Sequence, residues 1–302
     1  MKGLTLKQLR YFDALARNRH FGRAAEASSI SQPALSLQIK ELEGSFGAPL
    51  VERSARQVRL TAIGEDFILK ARQILIAVEE LEDLGRASRW PLAGRLRLGI
   101  IPTVAPYLLP NIISALTTSF PKLELELRES VTKSLIGALV ESRIDLAIVA
   151  LPISEPSLQE FSLFEEDFVL VRPITDADKP VPSPSMLQSM RLLLLEEGHC
   201  FRDQALSYCK FTDVRPRQVM EGSSLSTLVQ MVGAGMGVTL IPEMAIALET
   251  RLANVSLARF SERSPTRTIG MVWRKTNPLS DQFIQIATLV SDVVQRTNDD
   301  IV

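Results

Sequence analysis

The apolar positions of this chain change period near residue 95. Before it they recur at helical spacing; after it short apolar runs alternate with helical segments. From Leu4 to Arg17 the residues Leu6, Leu9, Phe12, Ala14, Leu15 and Ala16 predict an amphipathic helix. Phe21 to Ala27 predicts a short second helix whose alanines permit close packing. Ser28-Ser29-Ile30 turns the chain, Ser31 suits an N-cap, and Gln32-Pro33 falls in a first turn where proline's missing N–H costs nothing. The helix that follows runs to about Glu43 and ends near Gly44 or Gly47. Leu35, Ile39 and Leu42 face inward, leaving Gln32, Ser36, Gln38 and Lys40 free to face a partner. Two short helices at a tight turn predict a helix-turn-helix, whose second helix enters a DNA major groove. A three-helix bundle with a merely solvated polar face fits the same periodicity.

Thr61 to about Arg86 predicts one long helix. Phe67, Ala71, Ile74, Val78 and Leu81 are spaced 4, 3, 4, 3, either a coiled-coil seam or the stripe of a helix lying on its own domain. Residues 88–94, Ser-Arg-Trp-Pro-Leu-Ala-Gly, break it and read as a hinge. Beyond, strand-like runs at Leu96–Ile101, Leu123–Arg128, Leu146–Leu151, Phe168–Val171, Leu192–Leu195 and Val238–Ile241 alternate with helix-like runs at Val104–Phe120, Lys133–Glu141, Phe201–Cys209 and Leu225–Gly233. Ile269–Trp273 and a helix from about Ser280 to Gln295 close the chain. This alternation predicts α/β architecture with parallel sheets and ligand sites at strand carboxyl ends.

Composition adds a polarity to this plan. With 46% apolar and 23% charged residues the chain has an ordinary soluble make-up, and its formal net charge of −1 carries no polyanion signal. The distribution does: residues 1–60 hold ten Lys/Arg against five Asp/Glu, a balance of +5 that leaves −6 for the rest. No apolar run reaches the roughly 18 residues of a membrane span, and the amino terminus has no signal-like apolar core, which points to the cytoplasm. The two histidines, His20 and His199, and two separated cysteines make no metal-ligand cluster. Gly233-Ala234-Gly235-Met236-Gly237 reads as a helix-to-strand turn rather than a dinucleotide loop. No cofactor is expected.

The two cysteines lie nine positions apart in Gly198-His199-Cys200-Phe201-Arg202-Asp203-Gln204-Ala205-Leu206-Ser207-Tyr208-Cys209-Lys210. The run after the glycine reads as a helix with Cys200 near its first turn, where free N–H groups and the helix dipole favour a negative sulfur. Nine residues of helix separate the sulfurs by roughly 13 Å, beyond disulfide reach, so joining them requires that helix to end. Cysteines are also common as small core residues, and spacing alone does not separate filler from switch. Thr103 and Thr132 each follow a strand, a position that suits a helix cap as well as a ligand contact.

Several segments carry a resemblance. Phe-x-x-Ala-Ala at 21–25, Ser-Gln-Pro-Ala-Leu-Ser at 31–36 and Gly-x-Pro-Leu-Val-Glu-Arg at 47–53 resemble the DNA-binding domain of the LysR family of bacterial transcription regulators. Gly-His-Cys-x-Arg-Asp-Gln-Ala with its second cysteine, and Ile-Pro-Thr-Val-x-Pro-Tyr-Leu-Leu-Pro from Ile101, resemble the OxyR-type peroxide sensors of that family, and the likeness covers essentially the whole chain. It implies a winged helix-turn-helix over 1–60, a linker and dimerisation helix over 61–87, a hinge over 88–94, and a regulatory domain over 95–302. That last domain would be two-lobed, like a type II periplasmic binding protein, with lobe I at about 95–165 and 268–302 and lobe II at about 166–267. Gln32, Pro33, Ser36, Gln38 and Lys40 would meet double-stranded DNA at a partly palindromic promoter site. A wing over 50–60 would add Arg53, Arg56 and Arg59.

The resemblance further implies that hydrogen peroxide oxidises Cys200, that Cys209 is its disulfide partner, and that Thr103 and Thr132 hold the peroxide. His199, Asp203 and Arg267 would tune the thiolate. Homodimer or homotetramer assembly, RNA polymerase and a thiol reductant are the partners it suggests. Three other readings use the same residues: a family member whose cleft takes a small organic effector, a thiol peroxidase, and a solute-binding protein. The basic amino-terminal region speaks against the last.

Overall fold

Helix α1 (Leu6–Asn18) starts on a reciprocal cap, in which Thr5 Oγ1 accepts from the Gln8 N–H and Gln8 Oε1 from the Thr5 N–H, each at 3.2 Å. His20 opens α2 (Phe21–Ala27), its Nδ1 accepting from the Gly22 N–H at 3.1 Å and the Arg23 N–H at 3.4 Å. Ser31 caps α3 (Gln32–Phe46), with Pro33 in the first turn, and Gly47 ends it with φ +86°. Strands β1 (Val51–Arg53) and β2 (Val58–Leu60) pair antiparallel to form the wing. Helix α4 (Ala62–Ala87) begins beneath it, where Thr61 Oγ1 accepts from the Gly64 N–H at 2.9 Å. A side chain at Gly64 would fall 2.1 Å from the Leu50 carbonyl oxygen, so the helix approaches the wing this closely only through a glycine. The computed structural model describes residues 3–53, 58–87, 92–187, 189–198, 200–208, 221–260 and 264–299, and divides into two compact units, Met1–Gly85 and Arg86–Val302.

The seam expected along α4 divides in two. Phe67 and Ala71 are buried in the head's own core, Phe67 edge-on to the rings of Phe12 and Phe46, and Arg72 pairs with the Asp13 carboxylate of α1 at 2.8 Å. Phe67 is therefore not available to a dimer seam, because the three-helix head uses it to close its open side. Ile74 and Leu81 remain 45% and 68% exposed.

The second unit runs β3 (Gly94–Ile100), α5 (Ala105–Ser119), β4 (Leu123–Glu129), α6 (Thr132–Val140), β5 (Leu146–Leu151), β6 (Leu158–Pro173), α7 (Pro184–Leu187), β7 (Leu194–Leu195), α8 (Cys200–Tyr208), β8 (Glu221–Gly222), α9 (Leu225–Gly233), β9 (Thr239–Pro242), α10 (Ile246–Glu249), β10 (Val255–Ala258), β11 (Thr266–Arg274) and α11 (Ser280–Asp299). The main sheet is ordered β10-β6-β11-β5-β3-β4, with β9 also on β6. Parallel pairing, expected throughout, holds for β4–β3–β5; β11, β6, β9 and β10 pair antiparallel. The difference comes from β6, a sixteen-residue strand of which only the last part reads as an apolar run. Its first part interleaves Gln159, Glu160, Ser162 and Glu165 with Leu158, Phe161, Leu163 and Phe164, and the register against β11 shifts between Ile269 and Gly270, which breaks a strict alternation.

Two apolar cores sit on this sheet. One, lobe I, gathers Leu98, Ile100, Leu116, Leu146, Ile148, Trp273 and Phe283; the other, lobe II, gathers Phe168, Leu170, Leu194, Phe201, Leu228 and Leu240. Strand β6 contributes Leu158 and Leu163 to the first and Phe168 to the second, so both lobes share it. Among the described residues no helix is long and apolar enough to cross a membrane.

Candidate functional site

On the head, α3 turns Leu35, Ile39 and Leu42 into the core and leaves Gln32, Pro33 and Lys40 exposed, with Ser36 and Gln38 half-buried. Gln38 donates to Glu41 at 2.9 Å, which holds its amide along the helix. Leu37, 55% exposed, shares this surface and was not singled out by its chemistry. Arg53 ends β1 opposite Val58 and Arg59 is exposed on β2; the Arg53 side chain and all of Arg56 lie outside the described residues.

The second constellation lies where the lobes meet. Helix α8 sends Phe201 and Ala205 into the lobe II core, while its first residue, Cys200, is half-buried against the lobe I core. Gly198 turns the chain into the helix with φ +101°, a conformation that strains any L side chain, and its α-carbon faces Val131, at the start of α6. Thr132, the first residue of α6, has its Oγ1 buried with no hydrogen-bond partner among the described residues. Gln204 Oε1, one turn along α8 from Cys200, is in the same condition. Neither Thr103 nor Thr132 caps its helix: the N-cap positions are Val104 and Val131, neither with a side-chain cap bond. Asp203 is exposed on α8, and Arg202 Nη1 donates to the Leu195 carbonyl at 3.0 Å. His199 and Cys209 lie outside the described residues.

Thr103 is held by Arg267. The Arg267 Nη1 donates to Thr103 Oγ1 at 2.8 Å and its Nη2 to the Thr103 carbonyl at 3.0 Å, while Nε donates to Glu166 Oε1 at 2.7 Å. The guanidinium is 2% exposed and stacks near the rings of Phe168 and Phe201. Burial pushes the Glu166 carboxyl above its ordinary range, against the pull of Arg267. A little further along the same boundary, Tyr107 of α5 donates to Glu249 Oε1 at 2.6 Å, and Ser226 of α9 donates to Glu249 Oε2 at 2.5 Å. Burial, with the carboxylate beside it, drives the Tyr107 phenol well above its usual range, so the hydroxyl stays a donor. Glu166, Tyr107, Glu249 and Gln204 are the site residues that pattern reading missed. A buried acid inside a polar half-strand carries no apolar signal, and the Glu166–Arg267 and Tyr107–Glu249 pairs stand over a hundred residues apart.

Known proteins resemble both units. Residues 6–65 match the model for "Bacterial regulatory helix-turn-helix protein, lysR family", and residues 91–294 that for "LysR substrate binding domain". A probable hydrogen peroxide-inducible genes activator of Streptomyces viridosporus is 38% identical over 296 residues, 96% of this chain and 95% of its own. The DNA-binding transcriptional dual regulator OxyR of Escherichia coli K12 is 37% identical over 289 residues, 95% of each chain. Among solved structures, a full-length OxyR variant from Pseudomonas aeruginosa matches with a TM-score of 0.76 at 35% identity, over 96% of this chain and 95% of that one. A cysteine-to-serine variant of Corynebacterium glutamicum OxyR with hydrogen peroxide bound matches with a TM-score of 0.66 at 38% identity, over 97% and 93%.

Proposed function

This chain belongs to the LysR family of bacterial DNA-binding transcription regulators, and on that premise we propose that it regulates transcription in response to hydrogen peroxide, through Cys200. The observation that carries the reading is the meeting of Cys200 with unused hydrogen-bonding groups at the lobe boundary. Thr132 Oγ1 and Gln204 Oε1 are buried without partners among the described residues, and a hydroxyl and an amide suit a small molecule that both donates and accepts. Thr103 is held by Arg267, whose buried guanidinium lies over the ring of Phe201, the residue that follows Cys200.

The chemistry runs in two balanced steps. The Cys200 thiolate attacks one peroxide oxygen, the O–O bond breaks, hydroxide leaves, and a sulfenic acid remains. A second thiolate, from Cys209, attacks that sulfur, hydroxide leaves again, and a disulfide forms. Residues Cys200–Tyr208 are helical, about 12 Å of rise from first to last. A helix continued over nine residues would separate the two sulfurs by roughly 13 Å, beyond the roughly 7 Å a disulfide spans. Forming the bond unwinds α8, and with it the Phe201 and Ala205 contacts in the lobe II core. A thiol reductant resets it.

DNA is met by α3 and the wing, and a second copy of the chain by the exposed part of α4, giving a homodimer or homotetramer on two half-sites in the cytoplasm. Intact mass and peptide mapping after one equivalent of peroxide test the chemistry: a loss of two hydrogens mapping to the peptides of Cys200 and Cys209 is expected. Cys200→Ser should abolish the change in DNA footprint on peroxide addition, and a footprint that still changes puts the sensing site elsewhere.

A further inference from the structure

Tyr107, Glu249 and Ser226 take no part in the thiol chemistry, yet they form a polar bridge across the lobe boundary around the buried Glu249 carboxylate. Tyr107 leaves α5, a lobe I helix, and packs against the lobe II core; Cys200 makes the opposite crossing from lobe II to lobe I. The Tyr107 hydroxyl meets Glu249 at 2.6 Å and Ser226 meets the other carboxylate oxygen at 2.5 Å, distances of charge-assisted bonds. A buried carboxylate with two donors is a weak device for stability, since an apolar replacement of like shape is often as good, but it fixes position well.

What it positions follows from α5. Thr103 and Tyr107 flank the first turn of that helix, a turn closed by bonds from the Val104 and Ala105 N–H groups to the Ile101 carbonyl and from the Tyr107 and Leu108 N–H groups to the Val104 carbonyl. Thr103 is tied to Arg267 at one end of this turn, and Tyr107 is tied to Glu249 at the other. From this geometry we infer that Tyr107, Glu249 and Ser226 are positioning residues for peroxide recognition: they clasp the lobes so that Thr103 keeps its place relative to Cys200. The inference rests on the peroxide reading of the same site and names residues that reading does not use.

The test compares two reagents on the full chain. Cys200 oxidation by hydrogen peroxide, which needs the placed threonine, is followed by dimedone trapping in a Cys209→Ser background. Alkylation by iodoacetamide, which needs only an accessible sulfur, is followed beside it. Tyr107→Phe should slow the peroxide reaction by about tenfold, the scale of one lost hydrogen bond to a charged group, and leave alkylation equal or faster. Glu249→Leu should match it, the double variant should be no slower than either single, and Glu249→Gln, which keeps an acceptor for Tyr107, should restore most of the rate. Ser226→Ala, which leaves the tyrosine bond intact, should slow the reaction less. Peroxide rates within about twofold of the parent in Tyr107→Phe and Glu249→Leu overturn the clasp while sparing the peroxide reading. Equal losses toward both reagents overturn it too, because they report a general change in access. A parent whose Cys200 reacts with peroxide no faster than free cysteine brings down the peroxide reading and the clasp together.

Discussion

On the head, Gln32, Pro33 and Lys40 lie open on α3, while at the lobe boundary Arg267, Thr103 and Glu166 are buried and bonded to one another. Both groups carry polar chemistry. On the proposed reading the first would find its partner in DNA, whereas the second is bonded inside the chain. Substitutions on the head should therefore alter binding and leave stability alone, whereas substitutions at the boundary should alter both, because each leaves a buried group without its partner.

The largest effect should come from Arg267→Met. It strands the Glu166 carboxylate and should cost about 3–5 kcal/mol in the unfolding of the regulatory unit, read from urea transitions. The pH dependence gives a sharper signature. The Glu166 carboxyl is held above its ordinary value in the folded chain, so it costs stability as pH rises through that window. Removing Arg267 takes away the group that pulls the value down, so the deficit of the variant should shrink on acidification as the carboxyl takes up a proton. A deficit that is flat with pH would mean that Glu166 is not what the arginine serves.

Next comes a pair on α4. Phe67→Ala empties a space among Phe12 and Phe46 and should cost about 3 kcal/mol in the head. Ile74→Glu, on the exposed continuation of the same helix, should leave the folding of the isolated chain within about 0.5 kcal/mol but lower the mass seen by light scattering. An unchanged assembly with Ile74→Glu would remove this part of α4 from any subunit contact. The smallest effect on stability should be that of Arg59→Ala, within about 0.5 kcal/mol, while the salt dependence of DNA binding falls by about one ion. If that slope does not move, the wing does not touch the phosphates.

The same division explains what could be read in advance. The head was legible almost residue by residue, because caps, turns and the inward face of α3 are local: Ser31, Pro33, Leu35, Ile39 and Leu42 stand within a dozen positions. Cys200 at the first turn of α8 was legible for the same reason. The first half of β6 was not, since Gln159, Glu160 and Glu165 interrupt its apolar residues. Nor was the Arg267–Thr103 contact, 164 residues apart, or Tyr107–Glu249, 142 apart; each is made by the fold and has no spacing to betray it. Phe67 shows the limit from the other side. A heptad stripe says that a helix has an apolar face, and only the packing says whether its own domain or another copy covers it.

Strand β6 carries a mechanical consequence. It runs from Leu158 to Pro173, bonded to β11 in one lobe, with one register shift at Ile269/Gly270, and to β9 and β10 in the other. Two lobes that share one continuous strand are coupled through it, so any movement of one relative to the other must bend or twist that strand. If α8 unwinds as proposed, the displaced volume would be taken up by twisting of that strand, and a small rotation there would grow with distance toward the outer edges of both lobes.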